Sequence, residues 1–172
     1  IAPYIGRLHD IGKATTFFQE YILEDVVPDN SNDKNHSRFG AVTAVKSAIK
    51  SNKHNFAHQE LLTTLLVMEK HHGTLQDTDK HLQQIWDAPD RYTEIGERLQ
   101  RQYQSIQSNP ESRKVVNRLL PDDVQLTDLK SDYSPKGVKK LYKELSTVDP
   151  DYTRILQLYG ALTFADKTSV AG

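Results

Sequence analysis

The stretch Leu8-His9-Asp10-Ile11-Gly12-Lys13 sets an adjacent His and Asp inside an otherwise apolar helical pattern, which makes them a chelating pair. Leu8, Ile11 and Phe18 continue the stripe, so the spacing predicts one amphipathic helix over Ile5 to Leu23 with the two polar residues at or beside its buried face. Buried charge needs a partner. Residues of matching chemistry follow in order: Lys13, His36, the doublet His71-His72, and Asp166. Taken singly, each has an ordinary explanation. A His-Asp dipeptide is usually a surface or capping pair, His71 and His72 suit a helix C-terminus stopped by Gly73, and Asp166 is a solvated carboxylate. Taken together they are nitrogen and carboxylate donors without a thiolate, a set that suits Mn, Fe, Co, Ni, Zn or Mg rather than a structural zinc knot.

Successive helical residues point about 100° apart, so His9 and Asp10 can grip different sides of a metal pair, with Asp10 as the bridging carboxylate. Lys13 follows Asp10 by three positions and His9 by four, which lets its ammonium reach over the same face and hold a phosphate oxygen. His36 precedes Ser37, the expected N-cap of a helix from Arg38, whose dipole favours a neutral, ligating ring.

Helical patterns run through most of the chain, and no strand pattern competes. Beyond the first helix, a polar loop spans Glu24 to His36; helices are expected over Arg38 to Lys50, Gln59 to His72, Asp90 to Ser108 and Pro135 to Ser146. Pro121 to Ser134 is acidic and turn-rich, and Asp149-Pro150 caps a last helix in which Ile155, Leu158, Tyr159 and Leu162 face inward. Phe17, Phe18, Tyr21 and Ile22 are assigned to the core rather than to a base-stacking platform. His54, His58 and His81 are assigned to surface or loop, and Arg7 to a surface ion pair or a phosphate contact. Lys136, Lys139, Lys140 and Lys143 form the one basic cluster, a solvated helix face that can also track phosphates.

With 172 residues, 37% of them hydrophobic, the chain suits one domain over 1–172 with a sizeable core. It has no apolar run long enough to span a bilayer and no cysteine, which fits a cytoplasmic protein. A net charge of −1 makes any nucleic-acid contact local or shared with a partner.

The order His-Asp, His, His-His, late Asp on an all-α chain resembles the HD metal-dependent phosphohydrolase superfamily. The LHDIGK followed by Phe17-Phe18, the Asn35-His36-Ser37, the His71-His72-Gly73 and the Ala165-Asp166-Lys167 are most similar to the HD nuclease of type I CRISPR interference, over residues 4–73 and 152–168. That resemblance implies a helical bundle with a buried site for two divalent ions. His9, Asp10 and Asp166 would hold one ion, and Asp10, His36, His71 and His72 the other, with Lys13 as the catalytic lysine. It also implies a further His upstream of the HD pair, so the chain is expected to be a fragment with one ligand missing. The implied activity is hydrolysis of single-stranded DNA beside a superfamily 2 helicase, fused or separate, and a CRISPR surveillance complex. An HD hydrolase of small nucleotides, or a silent HD module that only binds such partners, are the other readings.

Overall fold

Among the residues described by the computed structural model, 1–75 and 77–170, the apolar stripes of the sequence become α-helices and 3₁₀ turns, with no strand. In order these are α1 (Ala2–Leu8), a turn (Ile11–Ala14), α2 (Thr16–Glu24), a turn (Ser31–Lys34), α3 (Ser37–Lys50), α4 (His58–Lys70) and α5 (Thr78–Trp86). Then come α6 (Pro89–Gln107), α7 (Pro110–Leu119), a turn (Leu126–Tyr133), α8 (Pro135–Leu145) and α9 (Tyr152–Val170). No helix among the described residues is long and apolar enough to cross a membrane.

Helices α3 and α4 pack along each other at the centre, α9 lies on α4, and α5, α6 and α8 close the far side. Helix α3 is buried on every side from Phe39 to Ala48, so its polar residues are all satisfied internally. Thr43 Oγ1 bonds Tyr133 Oη at 2.8 Å, Ser47 Oγ bonds Tyr4 Oη at 2.7 Å, and Lys46 reaches Asp132 at 3.4 Å. The acidic stretch before α8 is not merely a connection, because its 3₁₀ turn sends Leu126, Leu129 and Tyr133 fully into the core. Helix α6 buries Ile95, Leu99, Tyr103 and Ile106, the stripe that its periodicity predicts.

The single first helix expected over Ile5 to Leu23 is instead broken twice. Helix α1 stops at Leu8, and Thr15 is extended (φ −65°, ψ 143°), its Oγ1 accepting from the Phe18 N–H at 3.3 Å to cap α2 afresh. Spacings of three residues fit a 3₁₀ turn as well as an α-helix, so the apolar stripe could not reveal the break. Helix α2 rests on the edge of the bundle against α6 and two turns, and none of its residues is buried. Phe17, Phe18 and Tyr21 are half-buried and Ile22 is 59% exposed, which removes all four from the core.

Smaller corrections concern single residues. His36, not Ser37, is the N-cap residue of α3. Asp151, rather than Asp149, caps α9, accepting the Arg154 N–H at 3.0 Å. Arg7 is exposed but makes no ion pair among the described residues; its Nη2 instead donates to the Arg118 and Leu120 carbonyls at 3.0 and 2.8 Å and closes the end of α7. His81 is buried at 6% exposure rather than on the surface.

Candidate metal centre

The end of α1, the start of α3, the end of α4 and the late part of α9 converge at one place. His9 is the C-cap of α1, Asp10 opens the following turn, His36 caps α3, His71 is the C-cap of α4 with His72 next, and Asp166 lies on α9. Two glycines let these backbones approach. A Cβ on Gly12 would fall 2.4 Å from the His36 carbonyl oxygen, and one on Gly40 would fall 3.0 Å from that of His9.

The donors fall into two groups that share one residue. Asp10, His36, His71 and His72 offer ligand atoms within 4.8 Å of one another, and so do His9, Asp10 and Asp166. All six sequence-predicted donors are thus brought together, with the Asp10 carboxylate between the two sets. Lys13 joins them, its ammonium 2.8 Å from Asp10 Oδ2. The lysines of α8 stand on its exposed face, with Lys139 and Lys143 over the rings of Tyr92 and Trp86 at 5.2 and 5.5 Å.

Tautomers are set by the helix ends. A C-terminal turn leaves carbonyls without intrahelical partners, and here two of them accept from histidine. His9 Nδ1 donates to Gly6 O at 2.8 Å and His71 Nδ1 to Met68 O at 2.6 Å. Each ring therefore turns its Nε2 lone pair toward the cluster, the arrangement that supports a ligating imidazole. His71 Nε2 and Asp10 Oδ1 are buried without a hydrogen-bond partner, and the Nε2 atoms of His36 and His72 face each other at 3.0 Å. Buried lone pairs converging without donors are what a cation satisfies, so the residues fit divalent metals.

Electrostatics agree for His71, His72 and Asp10. Burial pushes the His71 imidazolium down to about 4, and burial beside His36 lowers His72 as well, so both rings are neutral near neutral pH. Burial works to raise the Asp10 carboxyl, but His36, His9 and Lys13 together outweigh it and hold the group well below the usual carboxylate range. His9 differs. Its bond to Asp10 raises its pKa, so a proton competes for this ring.

Behind the donors lies a buried network that the sequence reading missed. Glu69, 3% exposed at its side chain, takes Arg38 Nε at 2.8 Å with a second guanidinium contact, His81 Nε2 at 3.1 Å and Tyr142 Oη at 2.7 Å. Arg38 follows His36 by two positions and Glu69 precedes His71 by two, so the pair ties the start of α3 to the end of α4. Its signal was present. Glu69 ends the apolar run Leu61 to Met68, where a lone carboxylate requires a cation. A second anchor steadies the loop before His36: Gln102 Nε2 donates to the Asp33 and Asn35 carbonyls at 2.8 and 2.9 Å, and Arg101 grips Asp33 through two 2.8 Å bonds. Tyr152 to Thr78 at 3.0 Å, and Tyr159 to the Gly73 carbonyl, seat α9 and with it Asp166.

A family model described as Cas3, HD domain, matches residues 1–166. The chain belongs to the Cas3 HD-domain family. No curated protein and no solved structure matches it. Membership accounts for the all-α bundle, and it makes this Cas3 HD domain part of a CRISPR-associated hydrolase family whose sites take divalent metals. Within this Cas3 HD domain, Asp10 is the one side chain common to both donor groups.

Proposed function

We propose that this domain, residues 1–172 acting as one unit, is a metal-dependent nuclease that hydrolyses phosphodiester bonds of single-stranded DNA. The observation that carries the reading is the pair of donor groups sharing Asp10. His9, Asp10 and Asp166 would hold one divalent ion, and Asp10, His36, His71 and His72 a second, drawn from Mn, Fe, Co or Ni, with Mg or Zn also compatible. Such ions supply Lewis acidity, making water a usable nucleophile near neutral pH and offsetting charge on the phosphate oxygens.

The chain's own groups do the rest. The Gly6 and Met68 carbonyls hold the His9 and His71 rings with Nε2 inward. The ammonium of Lys13, beside Asp10, offsets charge that grows on the phosphoryl oxygens in the transition state. The recessed donor cluster favours one flexible strand over a stiff duplex, and Lys136, Lys139, Lys140 and Lys143 offer an exposed face for its backbone phosphates. Family membership supports action beside a superfamily 2 helicase and a CRISPR surveillance complex in the cytoplasm.

The test is incubation of circular single-stranded DNA with the purified chain and Mn²⁺, against EDTA and Asp10→Ala. Metal-dependent cutting that disappears in the variant is expected. Absence of cutting by folded, Mn²⁺-loaded protein, with hydrolysis of small nucleotides in its place, would overturn the reading.

A further inference from the structure

The donor cluster opens on two cavities of different chemistry. One, on the Asp10 and Lys13 side, is lined by Gln19, Asn109, Glu111 and Ser112 among others, and carries no aromatic ring. The other, of about 490 Å³ on the His36 and His72 side, carries Phe18, Tyr21, Lys34 and Lys70. A volume of this order accommodates a nucleotide-sized ligand.

Phe18 and Tyr21 lie three residues apart on α2, hence on one helical face, and that face is withheld from the core. The Phe18 ring stands edge-on to His36 with centroids 5.0 Å apart. Lys34 holds its ammonium 3.8 Å over the centre of the Tyr21 ring. Glu69 also borders the cavity, but Arg38, His81 and Tyr142 occupy its oxygens, so the charges free to meet a ligand there are the two ammonium groups.

Resting on the nuclease reading above, we infer that this cavity binds the unpaired base and flanking phosphate of the nucleotide adjoining the scissile linkage. Tyr21 and Phe18 present aromatic surface to the base, and Lys34 and Lys70 take the phosphate. Stacking of this kind tolerates any base, because every base has a π-face. The Lys34 ammonium, held among the described residues only by a ring quadrupole, meets a full negative charge when a phosphodiester arrives, and the Tyr21 face is released to the base. A base inside the cavity cannot also be paired, so the subsite itself selects single strands.

The experiment compares a five-residue thymidine strand with the same backbone made abasic, using the Mn²⁺-loaded chain and reading the ratio of kcat/KM. Wild type should prefer the strand that carries bases by about 5- to 150-fold per stacked base. Tyr21→Ala, Tyr21→Leu and Phe18→Leu should each move the ratio toward one while the bound Mn²⁺ stoichiometry is retained. A wild-type ratio near one, or an unchanged ratio in all three variants, overturns the inference. Anisotropy of the two labelled strands in EDTA separates this from failure of the nuclease reading. A base preference in binding without cutting keeps the subsite while the nuclease reading falls, and equal binding of both strands removes the subsite.

Discussion

Replacing Gly12 by Ala would place a Cβ 2.4 Å from the His36 carbonyl oxygen, 2.8 Å from its Cβ and 3.0 Å from its carbonyl carbon. All three lie inside ordinary contact distance, and two of the atoms are backbone, which cannot rotate away. Overpacking of a close-packed contact costs about 1–3 kcal/mol, and a backbone obstacle belongs at the upper end. For a domain of this size about 3 kcal/mol lowers the melting temperature by roughly 6–12 °C. Gly6, six residues earlier on α1, is the control, since its added Cβ would meet nothing within 4 Å. Gly6→Ala relieves the entropy penalty of a helical glycine by about 0.5–1 kcal/mol, which raises the melting temperature by roughly 1–4 °C. The two substitutions therefore carry opposite signs. Thermal melts in EDTA read stability, and Mn²⁺ stoichiometry by elemental analysis reads the site. Gly12→Ala should also lose metal, because relief of the clash separates the Asp10 turn from His36. A Gly12→Ala protein that melts within about 1 °C of wild type and binds the full complement of Mn²⁺ would refute the close approach as the device that assembles the centre.

Other expectations test the supports around it. Glu69→Gln leaves the Arg38 guanidinium buried without its countercharge and should cost about 3–5 kcal/mol in urea unfolding, most of it recovered when Arg38 is also made apolar as in E69L/R38M; a loss below about 1 kcal/mol would deny the pair its structural weight. Thr15→Ala removes the cap of an unburied helix, so amide exchange across Thr16 to Tyr21 should quicken about 2- to 30-fold while global stability changes less. Asp123 accepts from Ser51 Oγ at 2.8 Å and from the Asn52 N–H at 2.7 Å, and the Ser51 bond first among these contacts depresses its pKa. A carboxyl depressed in the folded state stabilises above its unfolded value and loses that contribution as pH falls through the folded one. Asp123→Ala should accordingly lower the melting temperature at pH 7, with the gap to wild type closing in acid; a gap that widens in acid would contradict the assignment.

The candidate centre was legible because its residues conflict with their surroundings. His9 and Asp10 interrupt an apolar stripe, and His71-His72 sits where Gly73 ends a strongly apolar helix, so chemistry and punctuation pointed together. Elements bounded by local signals were equally readable, such as α6 and α8, each begun by a proline. His81 was misplaced because its reason for burial lies elsewhere: Glu69 is twelve residues away, and Glu69 in turn bonds Tyr142 across a separation of 73. Phe18 and Tyr21 read as core because an aromatic pair at helical spacing has no mark that separates a buried face from the lining of a cavity.

From the sequence alone came the all-α class, the order of the six donors and the kind of metal they suit, since these depend on residue types and on spacings within single helices. Only the tertiary structure brought those donors within reach of one another, broke the first helix after Leu8 and at Thr15, and set an aromatic, basic cavity on one flank of the centre. Those outcomes are decided by contacts between residues far apart in the chain, where backbone clearance and the pairing of buried charge outweigh local propensity.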